Sequence, residues 1–241
     1  MKWGLDRRIA RATELAEVYP AAREILTFYR ELALLQKSVS EDLHAKSETD
    51  VRVLVRYFPA LLDLACKSGV NLETPARQEE VLLACWEGDL ANDPAGRFYA
   101  HVLLQPYAEY LASRGDIPGK AADPRCPFCN ARPVVGVLRG EGDGAKRWLL
   151  CSLCGTEWQY RRVICPNCGE ENKDKLPVYL ADQIAHVRVD ACDTCQTYLK
   201  SVDLTKDGHA VPVVDELATV ALNIWAEERG YSKFEPNLLG M

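Results

Sequence analysis

Four Cys-x-x-Cys pairs constrain this chain more than any other feature: Cys126/Cys129, Cys151/Cys154, Cys165/Cys168 and Cys192/Cys195. They use eight of the ten cysteines, with 21, 10 and 23 residues between successive pairs. Two residues between cysteines let one tight turn aim both sulfurs at a single point. Two such turns supply four thiolates, the donor set of a closed tetrahedral site for zinc or a single iron. The long gaps suit hairpins that return a second turn to the first, and the 10-residue gap suits one strand joining two sites. This spacing groups Cys126, Cys129, Cys151 and Cys154 as one metal site and Cys165, Cys168, Cys192 and Cys195 as another. It leaves an interleaved pairing open. A disulfide framework would need an oxidising compartment, and nothing in the sequence points to one.

The 241 residues allow one or two domains with a sizeable core, and 48% hydrophobic with 27% charged residues is the composition of a soluble globular chain. A net charge of −6 opposes broad attraction to nucleic acid or an anionic membrane. Residues 121–202 hold 11 basic and 10 acidic side chains, which is no basic face for a nucleic-acid-binding ribbon. The opening Met1-Lys-Trp-Gly-Leu-Asp-Arg-Arg8 leads into no apolar run with a small-residue cleavage site, and no stretch of about 18 apolar residues predicts a membrane helix. The expectation is a cytoplasmic protein with reduced, metal-competent thiols.

Residues 1–119 read as helical. Ile9, Ala12, Leu15, Ala16 and Tyr19 recur at helical spacing, and Pro20 opens a second helix with Ile25, Phe28, Tyr29, Leu32 and Leu35 on its apolar face. Ser38 to Asp50 is polar and is expected to be an exposed link, with room for a short helical piece. Val51 to Cys66 is a third helical segment that Pro59 should break or kink, with Gly69 and Asn71 beyond its end. Thr74-Pro75 and Asp93-Pro94 read as helix starts. Val81, Leu82, Cys85 and Trp86 form the first buried face, and Phe98, Val102, Leu103, Tyr107 and Leu111 the second, with Pro106 inside it. Cys66 and Cys85 are expected to be small core residues. His44, His101, His186 and His209 stand in no ligand motif.

Gly115 to Pro124 reads as a linker. Strands are then expected over 133–139, 147–150, 156–164, 177–180, 184–190 and 198–202, with a turn at Gly140–Gly144. A last helix runs over 213–229 with Leu217, Val220, Ala221, Ile224 and Trp225 on its apolar face, stopping at Gly230. The fold class is α+β, divided into a helical domain (1–119), a first four-cysteine module (120–163) and a second with the C-terminal helix (164–241).

Three stretches carry the cysteine turns: Arg147-Trp-Leu-Leu-Cys-Ser-Leu-Cys-Gly-Thr-Glu-Trp158, Arg162-Val-Ile-Cys-Pro-Asn-Cys-Gly169 and Val189-Asp-Ala-Cys-Asp-Thr-Cys-Gln-Thr-Tyr-Leu-Lys200. They resemble the FdhE family of formate dehydrogenase accessory proteins. Asp215-Glu-Leu-Ala-Thr-Val-Ala-Leu-Asn223 and the ending Glu228-Arg-Gly-Tyr231 with Pro236-Asn-Leu-Leu239 are similar too, and Phe28 to Gln36 is the best-matching piece of the helical half. The resemblance implies a helical N-terminal domain, two rubredoxin-like metal modules and a cytoplasmic role in assembling or activating a molybdenum or tungsten formate dehydrogenase by binding its catalytic subunit. All eight knuckle cysteines are present. Asp190 and Lys233 stand where the family more often has glutamate and arginine.

Four thiolates leave no open position for water, and the chain has no His-Glu-x-x-His, Gly-x-Ser-x-Gly or phosphate-binding loop, so no enzyme is expected. The expected cofactors are two metal ions, iron or zinc, each held by four cysteines. The alternative is a rubredoxin-like electron-transfer or thiol-redox protein acting on a metalloenzyme, because iron in four cysteines cycles between two states and zinc does not. Glu157, Trp158, Arg161 and Arg162 form a candidate docking patch, since Trp and Arg are frequent interface anchors. The competing placement has Trp158 in the core and the arginines balancing thiolate charge. A homodimer is left open.

Overall fold

The computed structural model describes residues 3–70, 72–88, 93–115, 123–142 and 144–241. Asn71, Asp143 and most of the expected linker at 115–124 lie outside them. Among the described residues no helix is long and apolar enough to cross a membrane.

Helix α1 (Leu5–Val18) buries Arg8, Arg11, Ala12, Leu15 and Ala16, a stripe at helical period that includes two cations. Pro20–Ala22 is a single 3-10 turn that runs straight into α2 (Arg23–Lys46). Helix α2 overruns the expected link at 38–50. It ends at Ser47, whose φ is 53°, because Val39 and Leu43 are fully buried and continue the stripe of Leu26, Tyr29, Leu32 and Gln36. Two apolar residues at the right spacing outweigh a polar neighbourhood.

Val51–Tyr57 is 3-10 and passes into α3 (Phe58–Lys67), with Pro59 in the first turn, so the proline marks the break between the two. Helix α4 (Gln78–Glu87) starts at Gln78, later than the Thr74-Pro75 signal suggests. Helix α5 (Pro94–Arg114) starts where expected, the Asp93 carboxylate accepting from the Gly96 N–H at 2.8 Å. Pro106 does not interrupt it. Proline has no N–H for the Val102 carbonyl one turn earlier, and the buried Gln36 amide of α2 donates to that carbonyl instead, at 2.9 Å. Cys66 is exposed, contrary to the expected core position, and Cys85 is half-buried.

The C-terminal part forms one sheet. Its strands are β1 (Pro133–Glu141), β2 (Gly144–Cys151), β3 (Glu157–Tyr160), β4 (Val178–Leu180), β5 (Val187–Cys192), β6 (Thr197–Asp203) and β7 (Ser232–Lys233). Their order is β3-β2-β1-β6-β5-β4, with β7 beside β6. Two antiparallel three-stranded meanders are thus welded edge to edge by parallel pairing of β1 with β6. Gly136 makes the weld: a Cβ there would lie 2.2 Å from Ser201 Oγ, which is itself held by Asp190 at 2.6 Å. The strand expected over 156–164 covers only β3, which pairs back on β2 and does not bridge the sites. The bend after it is fixed by the buried Arg147 guanidinium, which donates to the carbonyls of Arg161 and Ile164 at 2.6 and 2.7 Å.

The expected last helix is two: α6 (Pro212–Ala218) and α7 (Val220–Glu227). The break at Thr219 has a side-chain cause. Lys200, fully buried on β6, donates to the Glu216 carbonyl at 2.6 Å, and the Thr219 hydroxyl donates to the Asp215 carbonyl at 2.9 Å. The break resets the helical phase, so Asn223 and Ala226 face inward while Ile224, expected on the apolar face, is exposed.

Helix α6 lies between the helical layer and the sheet, and its two buried acids point opposite ways. Asp215 takes Arg11 of α1 at 2.6 Å, and Glu216 takes Lys200 at 2.8 Å and Lys233 at 2.5 Å. One hydrophobic core runs through α1, α2, α5, α6 and the central strands β1, β5 and β6.

Candidate metal centres

Each Cys-x-x-Cys pair sits on a short turn closed by backbone hydrogen bonds. The Cys126 N–H donates to Ala131 O, Cys151 to Thr156 O and Cys165 to Glu170 O, each at 2.9 Å. The residue after each second cysteine has positive φ: Asn130 (61°), Gly155 (64°), Gly169 (77°) and Gln196 (53°). That twist turns the chain back so that both sulfurs face one point. Glycine takes it freely, asparagine at small cost, and glutamine only because its environment holds it. Here the Gln196 amide donates to Asp193 O at 2.7 Å, and its carbonyl pairs with the Ser232 N–H.

The meanders bring the turns together in the sequential grouping, not the interleaved one. The sulfurs of Cys126, Cys129, Cys151 and Cys154 all lie within 4.8 Å of one another, as do those of Cys165, Cys168, Cys192 and Cys195. Individual S···S separations are 3.3–3.5 Å in the first group and 3.6 Å in the second. Four thiolates at about 2.3 Å from a central ion stand ~3.8 Å apart in a tetrahedron, so both clusters fit a single ion with small outward adjustment.

Electrostatics favour a cation in both. Burial and the adjacent sulfurs push the Cys151 thiol up, while hydrogen bonds from Cys129, Cys151 and Cys154 hold Cys126 down. In the second group burial pushes Cys165 up to about 12. Burial also opposes the Cys195 thiolate, but the Thr197 hydroxyl and the Asn167 side chain outweigh it and hold that thiol at about 7. The sulfurs cannot all be thiolates unaided, and a divalent ion is what would make them so.

The sites differ in cover. At the first, Cys126, Cys151 and Cys154 are buried in an apolar cluster with Ala108 and Ala112 of α5, Leu149, Trp158 and Phe234. Gln105 of α5 clamps the second turn by donating to Ser152 O at 2.7 Å. At the second, Cys165 and Cys192 are buried, Cys195 is half-buried and Cys168 is exposed.

A feature the spacing analysis passed over links the sites. The second turn of each reads Cys-x-x-Cys-x-Thr, and the threonine oxygen lies 3.0 Å from the second sulfur: Thr156 on Cys154, Thr197 on Cys195. As a thiol, Cys154 donates to the Thr156 oxygen; once ionised, each sulfur can only accept, and its threonine hydroxyl is then the donor. The recurrence is visible in the sequence once the cysteines are aligned pair by pair.

The candidate docking patch is split between core and surface. Trp158 is 3% exposed and its indole N–H donates to Asp123 O at 2.9 Å, placing it in the core. Glu157 is held by Arg139 at 2.6 Å and by the Trp3 indole. Arg161 and Arg162 are exposed, Arg161 pairing with Glu171 at 2.8 Å. His186, Asp207 and Asp215 form a third cluster that periodicity could not reveal. The Arg11 guanidinium already serves it, at 2.7 Å from Asp207 and 2.6 Å from Asp215, and His186 Nε2 lies 2.9 Å from Asp215.

Comparison with known proteins agrees with this geometry. The model of "FdhE, central domain" matches residues 125–162 and that of "FdhE, C-terminal domain" residues 163–239. The "Protein FdhE homolog" of Aquifex aeolicus is 31% identical over 210 residues, 80% of this chain and 72% of the relative. That of Cronobacter sakazakii is 30% identical, over 96% of this chain and 86% of the relative. The crystal structure of the FdhE protein from Pseudomonas aeruginosa shares the fold, with a TM-score of 0.70 over 98% of this chain and 95% of that one at 24% identity. Matched over more than two thirds of both homologues, this chain belongs to the FdhE family.

Proposed function

We propose that this protein is an accessory factor for a molybdenum or tungsten formate dehydrogenase, binding the catalytic subunit during assembly or activation. In this reading it is not itself an enzyme. Cys126, Cys129, Cys151 and Cys154 hold one metal ion, Cys165, Cys168, Cys192 and Cys195 a second, iron or zinc, in the modules 120–163 and 164–241 that follow the helical domain 1–119. The observation carrying this reading is the pair of four-sulfur clusters on one sheet in a chain of the FdhE family. Closed four-thiolate sites contribute folding energy and present no open coordination position, which suits a scaffold that recognises a partner.

A second reading, electron transfer to the metalloenzyme, is favoured by the exposed Cys168 sulfur, which would bring an iron at the second site close to the surface. Anaerobic affinity capture from native cytoplasm, with mass spectrometry and metal analysis, tests both. Two metal ions per chain and a co-purifying formate dehydrogenase catalytic subunit are expected. Redox-active iron at the second site would favour electron transfer, and zinc would favour scaffolding. Capture of an unrelated redox enzyme or of nucleic acid would overturn the accessory role.

A further inference from the structure

Beside the first metal site, the last turn of α4, the first turns of α5 and the first cysteine turn enclose a cleft of about 460 Å³. That is the size range of small-molecule pockets. Its charged lining is Arg97, Arg125 and Arg132 together with Glu87 and Glu235. Arg97 is neutralised by Glu235. Arg125 and Arg132, on either side of the Cys126–Cys129 turn, form no side-chain ion pair among the described residues, although both charges favour ionised Glu235 and the Arg125 backbone N–H donates to Asp123. Arg125 spends one N–H on Asn130 O at 3.2 Å, and Arg132 lies 5.3 Å from the Phe234 ring centroid with a long 3.4 Å bond to Phe234 O. A guanidinium carries five N–H donors, so both keep most of theirs for a ligand.

His101 on α5 lines the same cleft. It has no hydrogen-bond partner among the described residues, and burial lowers its pKa to about 4, so it is a neutral imidazole with a free donor at pH 7. Trp86 supplies an aromatic surface to the same cleft. On a chain of net charge −6 this is a local excess of unmatched donors around a concavity.

We propose that this cleft binds a phosphate-bearing small molecule, its phosphate or pyrophosphate group held by Arg125 and Arg132 and donated to by His101, its body against Trp86. Donors carried by α5 and by both flanks of the first cysteine turn suit the several oxygens of a tetrahedral oxyanion better than a planar carboxylate.

The test is calorimetric titration of the full-length, metal-loaded protein with inorganic pyrophosphate and, separately, citrate. Saturable pyrophosphate binding is expected, weakened at least tenfold in the Arg125→Ala/Arg132→Ala variant with two metal ions retained. No saturable heat at millimolar pyrophosphate, undiminished binding in that variant, or citrate binding as tightly would overturn the assignment. If the arginine variant loses metal, His101→Phe, on α5 and outside the cysteine turns, decides once metal analysis shows two ions retained. A severalfold loss of pyrophosphate affinity there supports the site, and unchanged affinity shows that the arginines only balance the thiolates.

Discussion

Replacing Thr197 or Thr156 by valine removes a hydroxyl from a cysteine sulfur while keeping the side-chain shape. The O···S separation is 3.0 Å at both places. A hydrogen bond to a charged group contributes about 1.5–3 kcal/mol, which is roughly 10- to 150-fold in affinity at about 1.4 kcal/mol per tenfold. Cys195 and Thr197 are half-buried, so solvent partly replaces the lost donor and Thr197→Val belongs at the lower end, about tenfold weaker metal binding at the second site. Cys154 is 0% and Thr156 5% exposed, so no water substitutes there, and Thr156→Val belongs nearer 100-fold at the first site. Stepwise chelator competition against cobalt-loaded protein, followed by thiolate-to-cobalt absorption, reads the two sites as separate steps. An effect below about threefold at the altered site, or Thr197→Val weakening the first site, would show that these hydroxyls do not support the thiolates.

Three further outcomes follow from the packing. Chelator should empty the sites in sequence, the second before the first, because Cys168 is exposed whereas the first cluster lies under α5; a single release phase would contradict this. Gly136→Ala should unfold the protein at lower urea, because its Cβ would meet Ser201 at 2.2 Å on the β1–β6 seam and overpacking costs about 1–3 kcal/mol; an unchanged midpoint would mean that the seam relaxes freely. Glu216→Gln should cost about 3–5 kcal/mol by stranding two buried lysines. Burial opposes the Glu216 carboxylate, but Lys200 and Lys233 outweigh it and hold its pKa at about 2. Its stabilisation is therefore complete above the ordinary carboxylate value and is lost as pH falls from there toward 2. Urea midpoints of wild type and Glu216→Gln should converge over that window, and a constant difference would refute the ion-pair account.

Local chemistry made much of the molecule legible. The cysteine spacing grouped the eight sulfurs, and Asp93-Pro94, Pro20 and Gly230 punctuated the helices, because these signals act within a few residues. Thr197 and Thr156 were equally local and were missed only for want of aligning the turns. What stayed hidden depends on partners far along the chain. Arg8 and Arg11 carry no local signal of burial, yet both are buried because Glu109 and Asp215, about 100 and 200 residues away, meet them. The uninterrupted path of α5 through Pro106 depends on Gln36, and the break between α6 and α7 on Lys200.

By itself the sequence determined the α+β class, the helical first half and the four cysteine turns, since turn chemistry and hydrophobic period are written residue by residue; it favoured the sequential grouping of the turns, and the structure decided it. Only the tertiary structure decided that the two meanders form one sheet, that Trp158 is internal, and that one cluster has three of its cysteines buried beneath a helix while the other has one exposed. Parallel pairing of β1 with β6 and the docking of α5 over Cys151 and Cys154 are long-range contacts, and their free energy resides in surfaces that meet only once the whole chain has folded.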